Sequence, residues 1–549
     1  MTEREPVKDD SQLKPTSAVL DEAHVGDIHG AFGTIRLSDV APRRTWRRRL
    51  LTLAAIIGPG LIVMVGDNDA GGVSTYAQAG QDYGYSLLWT LVLLIPVLIV
   101  NQEMVVRLGA VTGVGHARLI AERFGRFWGW FSVGDLFLLN FLTISTEFIG
   151  VSLAGEYFGF SPYVVVPLSA LILIGITITG NFRRWERAMF VFLFASLLVL
   201  PLLVLSHPDP GASLKGFIKP GIQGGLTSDA ALLIIAIVGT TVAPWQLFFQ
   251  QSNVIDKRIT PRWLDYEKAD TVLGAFVVVI GAAAIMIAAA SAFTGTNDFG
   301  QFQDALRVAR GLASHITPLE GTIFALLLFD ASIVGASAVT LATSYAFGDI
   351  FGLRHSLHRG LREAKFFYAS YSGMVALAAA IVLIPHAPLG LITTAVQALA
   401  GTLLPSATVF LVLLCNDRAV LGPWVNKPWL NVVATIIVSA LLLLSFVLVI
   451  STLFSSINVT TLIVVLGVIM AVVVIAATGW LLWSARRAEP APEMPRSERE
   501  NWRMPALALL ERPTWSLPKR VAMLTMAGYI ILAVVFLAVK AVEIALIKH

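Results

Sequence analysis

The sequence has very little cysteine and little charge. One of its 549 residues is a cysteine, Cys415, which excludes an intramolecular disulfide and a cysteine-based metal cluster. Charged residues make up 14% of the chain and hydrophobic residues 56%, and the mean hydropathy is +0.74. This balance excludes a soluble globular protein and indicates a polytopic membrane protein. The net charge of +4 arises from basic residues clustered in short loops, so it does not indicate nucleic-acid binding.

The first fifty residues lack a long apolar run, so we expect no cleavable signal peptide. From residue 50 onward, apolar segments long enough to cross a bilayer recur; about 20 residues are needed for each crossing. The predicted spans are residues 50–80, 84–108, 129–156, 160–181, 187–206, 228–252, 268–293, 318–347, 366–386, 388–415, 430–455, 458–484 and 519–546. The last of these would leave the C-terminus outside the cell.

Arginine and lysine concentrate in alternate loops. Basic loops include RRTWRRR, NFRRWER, DKRITPR and RHSLHRGLR, whereas GQDYGY, SHPDPGAS and PHAP between them carry almost no basic residue. By the positive-inside rule, this pattern predicts a multi-pass protein of the plasma (inner) membrane with a cytoplasmic N-terminus. The loop QDALRVARG carries two arginines but is predicted to be external.

Two polar segments flank the apolar part of the chain. Residues 1–45 have too little apolar content to form a core and are predicted to be a disordered cytoplasmic tail, and residues 486–518 to be a cytoplasmic linker rich in proline and charge. Between them we expect a ten-helix transport core at residues 46–415 and two additional transmembrane helices at 416–485. A C-terminal transmembrane helix is predicted at 519–549.

Two predicted spans contain polar or helix-breaking residues at bilayer depth: GDNDAGG in the first span and GTTVAPWQ in the sixth. A carboxylate inside the membrane costs at least ~2.5 kcal/mol and marks a candidate functional site. The breaks fall at the same place in two consecutive blocks of five helices, which indicates a binding site near the bilayer midplane. Either break alone could be an ordinary kink.

The chemistry of the two breaks favours a cation. Asp69 supplies a hard anionic oxygen, and unwound carbonyl groups near Thr240 supply neutral oxygens. Oxygen donors favour Mg²⁺, Ca²⁺ or Mn²⁺ over Cu⁺ or Zn²⁺, which prefer sulfur or imidazole ligands. No nucleophile–base set or phosphate loop supports an enzyme, and no cofactor is expected.

Several stretches resemble the Nramp family of divalent-metal transporters, and the resemblance covers most of residues 50–450. NQEMVVRLGAVTG is similar to the second helix of that family, and NDRAVLGPWVNKPWLN to its cytoplasmic loop before the eleventh helix. The resemblance implies an all-α polytopic membrane protein with a LeuT-type inverted 5+5 helix repeat. Helices 1 and 6 would be broken, and additional helices would follow at the C-terminus.

Both signature motifs of that family are altered in this sequence. The first-helix motif Asp-Pro-Gly-Asn is replaced by Asp-Ala-Gly-Gly, so that Asp69 keeps the metal-binding aspartate and Gly72 replaces the asparagine. The sixth-helix motif Met-Pro-His-Asn is replaced by Ala-Pro-Trp-Gln, and Ala243 takes the place of the methionine. The resemblance implies a metal site formed by Asp69, Gly72, the Thr240 carbonyl, Ala243 and Gln397.

The replaced residues argue against a preference for soft metal ions and against coupling of transport to protons. Loss of the methionine sulfur removes a preference for softer ions, and we expect the smaller residues to widen the site for hydrated Mg²⁺. Titratable residues of the family are replaced by Ile144, Trp245 and Gln250, which leaves little to couple transport to protons. The sequence is most similar to the Nramp-related magnesium transporters, a branch that takes Mg²⁺ and Mn²⁺ without proton coupling.

Further polar residues are predicted to line the ion path or to support the ligands from behind. They are Asp67, Asn68, Thr241, Trp245, Gln246 and Glu147. A structural role is the alternative, as capping for Asp67 and Asn68 and as an arginine pair for Glu147. Asp135 and Asp330 also lie at membrane depth, without motif support.

Three other functions stay open at this point. They are a proton-coupled Mn²⁺/Fe²⁺ symporter, a transporter of the same fold for an organic substrate such as an amino acid, and a membrane enzyme or sensor. The expected partners are divalent metal ions and the lipid bilayer, without nucleic acid. The sequence leaves the oligomeric state undetermined.

Overall fold

The computed structural model describes residues 21–39, 41–384, 389–454, 457–487, 494–511, 520–521 and 523–529. These residues are almost entirely helical, which confirms the predicted all-α class. One small antiparallel hairpin precedes the helices, in which β1 (Ile28–Gly30) pairs with β2 (Gly33–Ile35).

Twenty-one α-helices follow in the described part of the chain. Those of the first half are α1 (Trp46–Ile56), α2 (Pro59–Val65), α3 (Ala70–Tyr83), α4 (Leu88–Thr112), α5 (His116–Phe124), α6 (Arg126–Tyr157), α7 (Pro162–Thr177), α8 (Phe182–Ala195), α9 (Val199–Leu205) and α10 (Pro210–Ile218). Those of the second half are α11 (Ser228–Thr241), α12 (Pro244–Asp256), α13 (Leu264–Phe293), α14 (Ala305–His315), α15 (Pro318–Phe351), α16 (Lys365–Val382), α17 (Leu389–Cys415), α18 (Arg418–Leu421), α19 (Pro428–Leu453), α20 (Val459–Arg487) and α21 (Arg496–Asn501).

The helices agree with the predicted membrane spans. Ten described helical segments are long and apolar enough to cross a membrane, α1 with α2 forms an eleventh that is bent by 55°, and α7 is a shorter apolar helix. Together they correspond to the first twelve predicted spans. The thirteenth, residues 519–546, lies outside the described residues apart from 520–521 and 523–529.

The first span is broken twice, although the sequence predicted one break. The additional break separates α1 from α2 at Gly58, whose φ of 155° is a conformation that favours glycine. Just beyond it, the Asp270 carboxylate accepts the N–H groups of Gly58 at 3.0 Å, Gly60 at 2.8 Å and Leu61 at 3.2 Å. Asp270 therefore caps the start of α2 from a helix about 210 residues away in sequence.

Small residues allow the helices around the breaks to pack closely. A Cβ atom on Gly150 of α6 would collide with Ala70 of α3 and with Ser332 of α15. A Cβ atom on Gly239 of α11 would collide with the backbone of Gly401 in α17. Such close backbone approach is typical of helix packing within membranes. It brings five helices together around the two interrupted spans.

The N-terminal tail was predicted to be disordered, and for residues 21–39 this is wrong. Ile28, Ala31 and Ile35 are buried against the helices, so the polar segment is ordered by tertiary contacts. Residues 1–20 lie outside the described part of the chain. We refer to residues 21–35 as the N-terminal segment.

The predicted linker also packs on the protein where it is described. Within residues 494–511, Met504 N–H donates to the Val111 carbonyl at 3.3 Å, and the Arg499 carbonyl accepts from Trp424 Nε1 at 3.0 Å. This packing occurs on the side of the molecule where the N-terminal segment also lies. Arg187, Arg258 and Arg359 bond the N-terminal segment on this side, and Arg499 packs on Trp424 there. We call this side the arginine-rich face.

The loop QDALRVARG lies at the opposite face. It forms the start of α14, and Arg310 pairs with Glu156 at 3.5 Å, near the end of α6. The start of α6 lies at the arginine-rich face, where the preceding Arg123 pairs with Asp417 at 2.7 Å. Because α6 spans 32 residues, its two ends lie on opposite sides of the protein.

Candidate metal site

The main interruption of the first span lies between α2 and α3, at residues 66–69. Asp69 is the N-cap of α3, and its Oδ1 accepts the N–H of Gly72 at 2.7 Å. The Glu147 carboxylate of α6 accepts the first N–H of α3, that of Ala70, through Oε2 at 3.0 Å. Both acidic side chains thus lie at the partially positive end of α3, which stabilises negative charge.

The interruption of the sixth span lies between α11 and α12. Only Val242 and Ala243 separate the two helices, and α12 begins with Pro244. Proline has no N–H, so the Thr240 carbonyl, four residues earlier, lacks its usual helical donor. The buried Thr240 hydroxyl also has no hydrogen-bond partner among the described residues. The break therefore presents neutral oxygens inside the protein.

The two breaks face each other at Gly72. A Cβ atom on Gly72 would lie 2.9 Å from the Asp67 carbonyl oxygen and 3.1 Å from Thr240 Oγ1. Beside it, the Tyr76 hydroxyl lies 2.8 Å from Thr241 Oγ1 and links α3 to α11. The structure thus brings Asp67, Gly72, Thr240 and Thr241 together.

Gly72 does not widen the site in this conformation, in contrast to what the sequence suggested. The space that a side chain would occupy is filled by the Asp67 carbonyl, Thr240 and the Tyr76 ring. The absence of a side chain at this position is compatible with the close approach of the two broken helices. The prediction of a wider site at this position is wrong for this structure.

Gln397 lies between the two broken helices. A Cβ atom on Gly71 would collide with its side-chain amide, and one on Gly239 would collide with its backbone carbonyl. Its Nε2 has no hydrogen-bond partner among the described residues. Gln397 is therefore placed next to Asp69. Its unpartnered Nε2 is a hydrogen-bond donor, so a cation would be bound through the amide oxygen Oε1 instead.

The Asp69 and Glu147 side chains are neighbours on either side of Gly335 in α15. A Cβ atom on Gly335 would lie 2.7 Å from both Asp69 Cβ and Glu147 Oε2. No arginine pairs with Glu147 in the described part of the protein, and its Oε1 has no partner there. The arginine pair considered from the sequence is thus not formed. Gly335 was missed because a lone glycine in an apolar span carries no distinctive signal.

Asp67 is joined to a short chain of amides. The Gln246 side chain donates to the Asp67 carboxylate, and Gln102 Nε2 of α4 donates to Gln246 Oε1 at 2.9 Å. The Trp245 ring lies 3.6 Å from the Cβ position of Gly66 and covers the first break. Gln102 was not singled out from the sequence, although it lies in the stretch NQEMVVRLGAVTG.

Several polar residues at membrane depth are directed elsewhere. Asn68 Nδ2 donates to the Val278 carbonyl of α13 at 3.1 Å, which agrees with the structural alternative for this residue, while its Oδ1 has no partner among the described residues; a place on the ion path stays a prediction. Asp330 accepts from Ser196 Oγ at 2.7 Å, on another face of α15. Ala243 is buried as the N-cap of α12 but adds no polar side-chain atom.

The site is closed on both sides and lined mainly by oxygen. Asp67, Asp69, Glu147, Thr240 and Gln397 are each 2% exposed or less. Within the described residues, no group of three or more His, Cys, Asp or Glu side chains is arranged to hold a metal ion. A cation bound here would therefore need backbone carbonyl, amide and water oxygens in addition to the carboxylates.

Two broken spans that surround a buried polar site define the class of membrane transporters with discontinuous helices. The family model for natural resistance-associated macrophage protein-like proteins matches residues 60–451. The chain belongs to this Nramp family. It is an integral multi-pass membrane transporter and not an enzyme.

Relatives and solved structures agree with this assignment. The chain is 27% identical over 468 residues to the divalent metal cation transporter MntH of Xylella fastidiosa (strain 9a5c), covering 79% of this chain and 91% of that protein. It is 28% identical over 411 residues to MntH of Ralstonia nicotianae, covering 70% and 88%. The crystal structure of the Eremococcus coleocola manganese transporter with an aromatic bis-isothiourea substituted compound matches with a TM-score of 0.58 and 22% identity, covering 82% of this chain and 98% of that one. The predicted LeuT-type fold is confirmed.

Proposed function

We propose that this protein is a uniporter-like secondary transporter for Mg²⁺ and Mn²⁺ that works by alternating access without proton coupling. The observation that carries the proposal is the donor set at the two breaks. It consists of oxygen and amide groups, with Ala243 at the position where the family has a methionine sulfur. The relatives described as divalent metal cation and manganese transporters support the substrate class.

Each donor has a role that its chemistry supports. Asp69 supplies the anionic oxygen, the Thr240 carbonyl a neutral oxygen, and Gln397 its amide oxygen Oε1, which binds the ion when the amide group is turned toward it. Mg²⁺ loses water reluctantly and is usually held by one or two carboxylates and several waters. The unpartnered Thr240 hydroxyl can accept a hydrogen bond from metal-bound water, which suits an ion that keeps part of its hydration shell.

Glu147 adds a second negative charge beside Asp69. Two neighbouring ionised carboxylates repel each other, and a divalent cation between them removes the repulsion. We therefore assign Glu147 a place next to the bound ion, closer than the ion-path or supporting position expected from the sequence. The Asp67–Gln246–Gln102 chain and the Trp245 ring support the first break from the other side.

The orientation of the protein in the membrane is inferred from the distribution of its basic residues. By the positive-inside rule the arginine-rich face is cytoplasmic in the plasma membrane, which places the N-terminus inside the cell. The half-helices α1–α2 and α12 lie between the site and that face, and α3 and α11 lie between the site and the opposite face. Alternating movement of these half-helices would open the site to one side at a time.

A proton-coupled Mn²⁺/Fe²⁺ symporter is the second candidate, because Glu147 lies beside Asp69 and because relatives are described as manganese transporters. A transporter of the same fold for an organic substrate such as an amino acid is less well supported. In that case a substrate carboxylate would occupy the N-terminus of a broken helix, but in α3 this position is already held by Asp69 and Glu147.

Replacing Ala243 with methionine is expected to shift the preference toward Mn²⁺. The thioether sulfur is a softer donor, so we expect the Mn²⁺/Mg²⁺ affinity ratio to rise about tenfold, or ~1.4 kcal/mol. Competition of Mg²⁺ against Mn²⁺ uptake into proteoliposomes measures this ratio. Gly72→Asn is left out of this test because its side chain would meet the Asp67 carbonyl.

Ala243→Leu is the matched control, because leucine has a volume similar to that of methionine but contains no sulfur. A shift in the methionine variant alone would support a ligand position at residue 243. An unchanged ratio in the methionine variant, or an equal shift in both variants, would remove this residue from the metal site.

A further inference from the structure

The N-terminal segment is fastened to α8 at the arginine-rich face. The N–H of Ala31, at the tip of the β-hairpin, donates to Glu186 Oε2 at 2.5 Å, and the Ala31 carbonyl accepts from Arg187 Nε at 3.1 Å. Next to it, the Phe32 ring packs edge-on against Phe190 with 4.6 Å between ring centroids. These contacts hold the hairpin tip on one side of the helix.

The hairpin strands lie directly on α1. A Cβ atom on Gly33 would lie 3.0 Å from Ala55 Cβ, and one on Gly30 would collide with the Ala55 carbonyl. Glycine at these two positions permits the backbone of the hairpin to contact the backbone of the helix. The hairpin therefore bridges α1 and α8.

The start of the N-terminal segment is tied to two connecting loops. Asp21 receives a two-pronged hydrogen bond from Arg359, in which Nε lies 2.9 Å from Oδ2. Burial raises the pKa of Asp21, but the hydrogen bonds from Arg359 and Ala23 and the nearby positive charges outweigh it and lower the pKa to about 2. Arg258, just after α12, donates to the Ala23 carbonyl at 2.9 Å and to the Asp27 carbonyl at 3.1 Å.

Glu186 connects this segment, through Lys257, to the bend between α1 and α2. Lys257, at the end of α12, donates to Glu186 Oε1 at 2.5 Å and to the Ile57 carbonyl at 2.9 Å. Ile57 lies at the bend between α1 and α2, and both charged side chains are fully buried. The buried Glu186–Lys257 pair thus joins the hairpin tip and α12 to the bend before α2, the half-helix that separates the metal site from this face.

We propose that the N-terminal segment is a gating element that holds the arginine-rich face closed and must release before α1–α2 can move. Opening the site toward this face requires α1–α2 to separate from α8 and α12, and the segment spans all of these contacts. This inference rests on the proposed transport by alternating access. It assigns Asp21 and Arg359 the role of positioning residues that act through the hairpin.

The test measures opening directly, without transport. Thr271 is buried in α13. Its backbone lies against Gly60 at the start of α2, and its hydroxyl accepts from Gln250 Nε2 of α12 at 2.9 Å, so Thr271→Cys reports separation of α2 and α12 from α13. The reporter is placed in a Cys415→Ser background, since Cys415 is the only native cysteine. A membrane-impermeant maleimide is added to inside-out vesicles, and the labelling rate is determined.

Asp21→Asn is expected to raise the labelling rate about tenfold, because it weakens a charge-assisted hydrogen-bond pair. The exchanged pair Asp21→Arg with Arg359→Asp is expected to restore the slow rate. Arg310→Gln, which breaks an exposed ion pair at the opposite face, is the matched control and should leave the rate unchanged. A variant lacking residues 2–36 should show the largest increase.

Equal labelling of the parent, Asp21→Asn and the shortened variant, each eluting as a monodisperse peak, would overturn the inference. Faster labelling that the exchanged pair fails to slow would also contradict it, because the effect would then not depend on the ion pair. Mg²⁺ uptake by the parent is measured in parallel. A parent that moves no metal but shows faster labelling after Asp21→Asn would refute the proposed function and leave the gating role standing.

Discussion

Asp69→Ala is expected to abolish Mg²⁺ and Mn²⁺ binding while the protein stays folded. Removing one partner of a buried charge pair costs about 3–5 kcal/mol, which corresponds to at least ~100-fold in affinity. The loss of the α3 cap at Gly72 costs only about 1 kcal/mol of stability, so a large share of the fold's stability remains. Calorimetric titration of the purified protein and uptake into proteoliposomes measure the two effects separately.

Asp330→Asn is the matched control for this variant. Asp330 is also a buried carboxylate at membrane depth, but it contacts Ser196 and lies outside the site. Its replacement should leave metal affinity within about twofold of the parent, because it changes no contact with the ion. Near-normal uptake by a well-expressed Asp69→Ala variant would remove this residue from the site.

Gly335→Val is expected to have the second-largest effect, a loss of transport of about 100-fold. Even a Cβ atom on Gly335 would lie 2.7 Å from both Asp69 Cβ and Glu147 Oε2, so the branched side chain has to displace both acidic groups. Overpacking of this kind costs about 1–3 kcal/mol, and here the cost falls on the arrangement of the proposed ligands. Initial rates of Mn²⁺ and Mg²⁺ uptake provide the measurement.

The same substitution at Gly467 separates crowding of the site from a general effect of valine in a membrane helix. A Cβ atom on Gly467 in α20 would meet nothing within 4 Å. Gly467→Val should therefore transport like the parent. If Gly335→Val also kept the parental uptake rate, Asp69 and Glu147 would not need their present arrangement for transport.

The helical spans could be predicted from the sequence because each depends mainly on its own apolar length. The two central breaks were also visible locally, as GDNDAGG and GTTVAPWQ. The further break at Gly58 was not, because it depends on a cap from Asp270, which is distant in sequence. The N-terminal hairpin was missed for a similar reason: its strands have three residues each and are ordered by contacts with α1 and α8.

The site shows the same division between local and tertiary information. The structure places Asp69, Gly72, Thr240 and Gln397 together, as their motif positions predicted, whereas their binding of metal stays a prediction. Asn68 was assigned to the ion path because it neighbours Asp69, but its side chain turns toward α13. Sequence spacing alone does not give the direction of a side chain in an unwound segment.

The contribution of Gln102 and Gly335 could not be inferred because both depend on how separate helices meet. Gln102 reaches the first break only through Gln246. Gly335 is important because it has no side chain, which leaves room for Asp69 and Glu147. Loss of the Gly72 side chain was expected to open space, yet neighbouring helices closed it. Residue volume at a helix contact therefore cannot be converted into cavity size without the packing around it.

The absence of proton coupling is the central claim, and the electrical driving force makes it physically reasonable. Each elementary charge that crosses the membrane is worth ~2.3 kcal/mol per 100 mV, so a divalent ion gains about twice that. Such a force can accumulate the ion unaided. Glu147, beside Asp69, is the residue that would carry a proton if one travelled with the metal.

Proteoliposomes loaded with a pH-sensitive dye test this claim most directly. An inside-negative potential is imposed, Mg²⁺ or Mn²⁺ is added outside, and metal uptake and internal pH are recorded together. We predict that uptake follows the membrane potential while the internal pH stays constant. Internal acidification that depends on the added metal would contradict the claim and show that protons enter with the ion.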